Sequence, residues 1–195
     1  VLFTTGYLTQ AGVSADGIYK LVIPNKEIRE VFVLKIQEWF KTVVDSNQAS
    51  TEKINQGFLV GNSEAIQQEL TMFLTETISI LDTKARDEQK ENFYHGILLG
   101  ILKNYSGWAV KSNRESGDGF SDIMIQVGDS EVGIVIEVKY ANDGNLEAEC
   151  KKALKQIDDT GYAEALHQDG ICKILKYAIA CYKKTCKIML EAEKC

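Results

Sequence analysis

The 195-residue chain has one proline, Pro24, and two histidines, His95 and His167. With 15 glycines and no periodic glycine pattern, that single proline excludes collagen-like and proline-rich material. Two histidines and no C-x-x-C pair leave no recognisable ligand set for zinc. No uncharged apolar run approaches the roughly 20 residues that a membrane helix needs. A basic excess is also missing: 22 Lys and Arg against 28 Asp and Glu give a net charge of −6. An isoelectric point near 5.1 excludes a broad basic surface but leaves room for a local basic groove. The five cysteines all fall in the last quarter of the chain. Their odd number, with no signal-peptide apolar segment, leads us to expect reduced thiols and a cytoplasmic location. No G-x-x-x-x-G-K-[ST] loop is present, so the chain is not expected to hydrolyse nucleotides. It begins at Val1 without a methionine, which suits a fragment or a processed chain.

What is present suits a folded globular protein, with 45% hydrophobic and 26% charged residues. Residues 1–23 read as a hairpin in which Leu2, Phe3, Tyr7 and Leu8, then Ile18, Tyr19 and Leu21–Ile23, flank a turn over Ala11–Gly17. Pro24 ends the second strand, and Asn25 is placed to cap a helix over Glu27–Val44. Further helices are expected over Ser50–Phe58 and after Gly61-Asn62, with Ile66, Leu70, Phe73 and Leu74 on one face. This segment, 1–81, reads as a hairpin and helical accessory module without catalytic residues. The second segment, 82–195, begins with a helix over Asp87–Tyr105. A strand at Trp108–Lys111, a loop over Ser112–Ser121, and strands Asp122–Val127 and Gly133–Ala141 follow. A helix carrying Leu146, Cys150, Ala153, Leu154 and Ile157 then leads to strands Ile171–Tyr182 and Cys186–Leu190. Helix, three strands, helix and two strands suit an α/β fold with a mixed sheet.

Side-chain alternation with period two brings chemistry into Gly133–Ala141. Ile134, Ile136, Val138 and Tyr140 share one face, and Val135, Glu137 and Lys139 share the other. If the two central strands pair as a hairpin, Asp122 lies at the end of its strand near Glu137. Polar groups in such strands cost free energy unless paired. One reading is structural: Glu137 and Lys139 form an edge ion pair and Asp122 caps a loop. The other is a site for a hard divalent cation, in which carboxylates, water and a phosphate oxygen complete the shell and the lysine assists an attacking water.

Asp122, 14 intervening residues and Glu137-Val138-Lys139, set in this element order, resemble the PD-(D/E)XK nuclease superfamily. Glu91-Asn-Phe-Tyr-His95, Ser112-Asn-Arg-Glu-Ser-Gly117, Asp122-Ile-Met-Ile125, Ile136-Glu-Val-Lys139, Ala153-Leu-Lys-Gln-Ile157 with Tyr162, and Thr5-Gly-Tyr-Leu-Thr9 are more specific. Together they resemble the nuclease-like C-terminal domain of AAA-ATPase-like bacterial proteins. The resemblance implies a restriction-endonuclease-like α-β-β-β-α-β core and a Mg²⁺- or Mn²⁺-dependent nuclease acting on DNA, ahead of RNA. It also implies an upstream ATPase-like domain as partner. Residue by residue, it makes Asp122 and Glu137 metal carboxylates, the Val138 carbonyl a third protein ligand and Lys139 the catalytic lysine. Gln156 matches the glutamine of the helix after the E-x-K strand, and Lys152, one turn before it, is a further phosphate contact. Glu91 matches the acid of the first core helix, joining the metal shell through water.

The chain departs from the family pattern at Ser121, which stands in place of the proline, and at Phe120, where arginine is expected. Arg114 is placed either to hold a phosphate or to pair with Glu115. Residues 136–187 hold nine basic and eight acidic residues, with Lys151, Lys152 and Lys155 clustered on the Gln156 helix. Lys152, Lys155 and Arg114 are therefore the candidate substrate contacts, and tight binding by charge alone is not expected. The alternative reading is a catalytically inactive nuclease-fold module that binds nucleic acid or protein and regulates an upstream ATPase-like domain.

Overall fold

The computed structural model describes residues 1–78, 87–112, 123–128, 130–161 and 166–194. The chain divides into two compact units, Val1–Asp45 and Ser46–Cys195.

In the first unit β1 (Thr9–Val13) pairs antiparallel with β2 (Tyr19–Val22), and the register shifts between Gln10 and Gly12. The turn is tighter than the sequence suggests. Ser14 N–H donates to Ile18 O at 2.8 Å and the Ser14 hydroxyl accepts from Ile18 N at 3.2 Å, so the strand runs through Ala11–Val13. Residues before Leu8 form turns instead of strand. Their threonines bond back to the chain, with Thr4 Oγ1 2.9 Å and Thr5 Oγ1 3.0 Å from Val1 O, a local alternative to the ladder. Helix α1 (Lys26–Ser46) starts where Asn25 Oδ1 accepts from Ile28 N at 2.9 Å.

The second unit is built on a five-stranded mixed sheet in the order β3-β4-β5-β6-β7. The strands are β3 (Trp108–Ser112), β4 (Ile123–Val127), β5 (Val132–Tyr140), β6 (Lys173–Tyr182) and β7 (Thr185–Lys194). Among the described strands of this sheet only β5 and β6 run parallel, and their connection carries helix α5 (Leu146–Thr160). Asn145 Oδ1 caps α5 by accepting from Ala148 N at 3.2 Å, and Gly161, at φ 69°, closes its C-terminus. Cys150, Ala153 and Leu154 of α5 pack on Ala178 and Ala180, with Ile157 on Val135. The other face of the sheet carries α2 (Gln48–Val60), α3 (Ser63–Thr77) and α4 (Asp87–Lys103). There the Phe58 and Tyr177 rings meet edge to face at 4.8 Å, and the Tyr94 and Tyr140 rings stack at 5.8 Å. Gln67 Oε1 also accepts from Ile188 N at 3.1 Å.

These contacts place α2 and α3, grouped with the hairpin in the sequence reading, within the compact unit that holds the sheet. Close approach of α2 to α3 depends on Gly57, where an added Cβ would sit 2.6 Å from Ile66 Cγ1. No helix among the described residues is long and apolar enough to cross a membrane. Together these layers make a restriction-endonuclease-like α/β architecture.

Candidate active site

The β5 alternation holds in three dimensions. Val135, Glu137 and Lys139 lie on the α5 face, in register with Lys176, Ala178 and Ala180 of β6. The even positions Ile136 and Tyr140 lie beside Tyr177 and Cys181 on the opposite face. Strand β5 is central and buried on both sides, so a charged side chain within it is dehydrated. Glu137 is only 1% exposed. Lys139 Nζ lies 2.7 Å from Glu137 Oε1. Both Glu137 carboxylate oxygens are sealed from solvent, and Oε2 accepts no hydrogen bond among the described residues. Burial pushes the Glu137 carboxyl up to about 7; the Lys139 ammonium pulls the other way and the Glu91 charge adds to the rise.

Glu91 comes from α4 and joins this pair from across the edge of β5. Its Oε2 lies 3.9 Å from Lys139 Nζ, and its Oε1 accepts from Tyr140 N at 3.3 Å. The backbone contact fixes which way β5 faces. Within a strand, N–H and C=O of one residue point to the same edge, and the edge alternates with each residue. Ala141 N donates to Cys181 O of β6 at 2.9 Å, so odd residues face β6. Tyr140 N turns to Glu91, so the Val138 carbonyl also points away from β6, beyond the last described β4 pairing, Ile123 with Ile136. A carboxylate, a carbonyl and an ammonium thus converge where β4 ends.

Asp122 and Arg114 lie outside the described residues, as do Phe120 and Ser121. Asp122 adjoins Ile123 in sequence, and Ile136, the partner of Ile123, adjoins Glu137. The described ladder therefore stops one residue short of an Asp122–Glu137 pairing. His95, one turn along α4 from Glu91, has Nε2 3.4 Å from Ser112 Oγ at the end of β3.

The α5 candidates differ among themselves. Gln156 is half-buried between Ala153 and Ile157, both of which pack on the face that carries Glu137. Lys155 is exposed. Lys152 is held by Glu149 at 2.5 Å and Lys151 by Glu147 at 2.7 Å, so the apparent basic cluster of this helix is largely neutralised by acids three or four residues earlier. What sequence reasoning missed is an aromatic ridge next to Lys139. Tyr140 stands between Tyr94 and Tyr182, with Lys90 Nζ 4.6 Å from the centre of its ring. The run Tyr182-Lys183-Lys184 is the signal in the sequence that could have marked it.

The donor set suits a hard divalent cation. Glu137 offers a dehydrated carboxylate whose Oε2 has no hydrogen bond among the described residues, and the Val138 carbonyl points away from β6. Among the described residues no three His, Cys, Asp or Glu side chains cluster as a metal site. A complete oxygen set would need a ligand from beyond them, and Asp122 is next in the chain.

Neither the curated proteins nor the solved structures contain a match to the chain. A family model does match, over residues 89–191, a span that runs from α4 to β7 and includes Glu91, Glu137, Lys139 and Gln156. With more than half of the chain covered and the mixed sheet carrying the E-x-K residues on its central strand, the chain belongs to the PD-(D/E)XK nuclease superfamily.

Proposed function

We propose that the chain is a Mg²⁺- or Mn²⁺-dependent nuclease that hydrolyses phosphodiester bonds of DNA, ahead of RNA. The observation that carries this reading is Glu137, a carboxylate buried in a central strand with one oxygen on the Lys139 ammonium and no hydrogen bond to the other among the described residues. Lys139 offsets part of the cost of holding such a group ionised, and a bound metal cation would offset more of it. Asp122, Glu137 and the Val138 carbonyl would hold the cation, with Glu91 contributing through water. When bound, the cation would polarise a phosphoryl oxygen and acidify water. Lys139, held between Glu137 and Glu91, would orient the attacking water and stabilise negative charge at the phosphate. Gln156 and Lys152 on α5, with Lys155 and Arg114, would contact phosphate. An upstream ATPase-like domain would deliver substrate, consistent with the scarcity of unpaired basic groups on α5.

A second reading has its own observation. Lys139 already contacts Glu137 at 2.7 Å and lies 3.9 Å from Glu91, the closed pattern of a structural ion cluster in a non-catalytic module. Calorimetric titration with Mn²⁺ separates the two. Saturable binding by the wild type that Asp122→Ala abolishes is the expected result. No binding by a folded wild-type chain would overturn the nuclease reading and leave the module.

A further inference from the structure

We propose that Tyr182, Lys183 and Lys90 form a rim that holds a single strand of nucleic acid beside the carboxylate site; the inference rests on the nuclease reading and names its substrate contacts. The rim is continuous with the site. Tyr140 follows Lys139 in β5, its N–H donates to Glu91, and Lys90 precedes Glu91 on α4. From Tyr140 the aromatic ridge extends to Tyr182, with ring centres 6.1 Å apart. Lys90 Nζ lies 4.6 Å over the Tyr140 ring, and Lys183 Nζ lies 4.9 Å over the Tyr182 ring. Tyr94 and Tyr140 are buried and back the ridge, and the half-buried Tyr182 ring is the face a base could meet. An aromatic face next to cations suits an unpaired strand, whose bases stack while its phosphates meet the ammonium groups. A duplex keeps its bases stacked on one another and offers mainly phosphates.

Two features indicate that the β6–β7 turn is built to present Lys183. Among the described residues ten have positive φ; nine are glycines and the tenth is Lys183, at 53°. The first position of such a two-residue turn favours glycine, so a lysine there retains backbone strain that glycine would remove. The turn is also anchored from two helices: the Tyr94 hydroxyl of α4 donates to Lys183 O, and Lys184 Nζ donates to Thr75 O of α3 at 3.0 Å. Lys184 is thus spent on the scaffold, whereas Lys183 is exposed. On α5, by contrast, Lys151 and Lys152 are already paired with Glu147 and Glu149. A base stacking on Tyr182 would take the place of the Lys183 ammonium, which would move to the adjoining phosphate.

The test is fluorescence anisotropy of the full chain with labelled oligothymidylate, oligouridylate and a DNA duplex, in EDTA so that nothing is cleaved, over a series of salt concentrations. Lys183→Gly and Lys90→Ala should each weaken single-strand binding severalfold and flatten its dependence on log salt by about 0.7. Tyr182→Ala should lower single-strand affinity roughly tenfold with little change in salt slope and little effect on duplex. Lys183→Gly should melt at or above the wild-type temperature, because it relieves strain, so its lost affinity cannot be lost folding. Wild-type affinity in all three variants, equal losses for duplex and single strand, or no binding by the wild type would each overturn the rim. Mn²⁺ titration of the carboxylates involves none of the rim residues. Failure of the rim with Mn²⁺ binding intact therefore leaves the nuclease reading standing, and loss of Mn²⁺ binding overturns that reading whatever the anisotropy shows.

Discussion

Two charged clusters occupy the α5 face of the same sheet, and they are resolved in opposite ways. At one end Lys176 of β6 is 9% exposed, and its ammonium contacts Asp158 at 2.8 Å and Glu193 at 2.5 Å. Glu193 also lies 3.3 Å from His167 Nε2, and its carboxyl is held below the usual range, chiefly by the hydrogen bond from Lys176. The acids there keep part of their hydration, with side chains 52% and 41% exposed, so one dehydrated cation meets two half-solvated anions. At the other end the dehydrated group is an acid, Glu137, met by one ammonium at 2.7 Å. The first cluster is electrostatically complete as it stands. The second keeps acceptor capacity at Glu137 Oε2 that the ammonium does not fill, and the proposed cation would take it up.

Lys139→Ala probes the unsatisfied cluster most directly. Metal-dependent cleavage of single-stranded DNA should fall by roughly 10²–10⁴-fold, the usual contribution of a positioned proton-transfer or charge-stabilising group, while the fold and Mn²⁺ affinity persist. Cleavage at the wild-type rate in this variant would remove Lys139 from the mechanism.

A smaller effect appears in stability. Between pH 4.5 and 7 the folded chain keeps a proton on Glu137 that the unfolded chain has released, so stability contributed by this group is lost as pH rises through that window. Glu137→Gln mimics the protonated acid and should stabilise the protein by about 1–3 kcal/mol at about pH 8, with no gain near pH 4. Urea unfolding at both pH values checks this, and a destabilised variant at the higher pH would show that Glu137 is a satisfied member of its ion pair.

The complete cluster should respond with the reverse profile. Lys176→Met fills similar volume and leaves Asp158 and Glu193 to solvent, so we expect a loss of only about 1–2 kcal/mol at neutral pH. Mn²⁺ binding should not change. A fall in Mn²⁺ affinity would mean that the two ends of the sheet are coupled and would undo the contrast between them.

Much of the local structure was legible because short-range chemistry writes it. Asn25, Asn62 and Asn145 each accept a backbone N–H at a helix start, and each precedes an apolar pattern of helical period. Elsewhere distant partners overrode the local signal. Strand β7 runs to Lys194, past the expected end at Leu190, because Glu191 and Glu193 extend the ladder with β6 and Glu193 finds Lys176. The acids that meet Lys151 and Lys152 of α5 at i,i+4 and i,i+3 become visible as partners in three dimensions, while Lys155 is exposed. Helices α2 and α3 carry no sequence signal that ties them to the sheet; the Phe58–Tyr177 and Gln67–Ile188 contacts do so across more than a hundred residues of chain.

By itself the sequence determined that Glu137 and Lys139 share one strand face, since two-residue alternation allows nothing else. It also determined the order of elements, through turn and cap residues that act within a few positions. Only the tertiary structure decided that Glu91 reaches Lys139 around the edge of β5, that Lys90 and Lys183 meet one aromatic ridge, and that Glu137 is dehydrated with Lys139 as its near partner. Those outcomes depend on the parallel crossover from β5 to β6 and on how far β4 runs, and long-range register is set by packing between elements that no local pattern encodes.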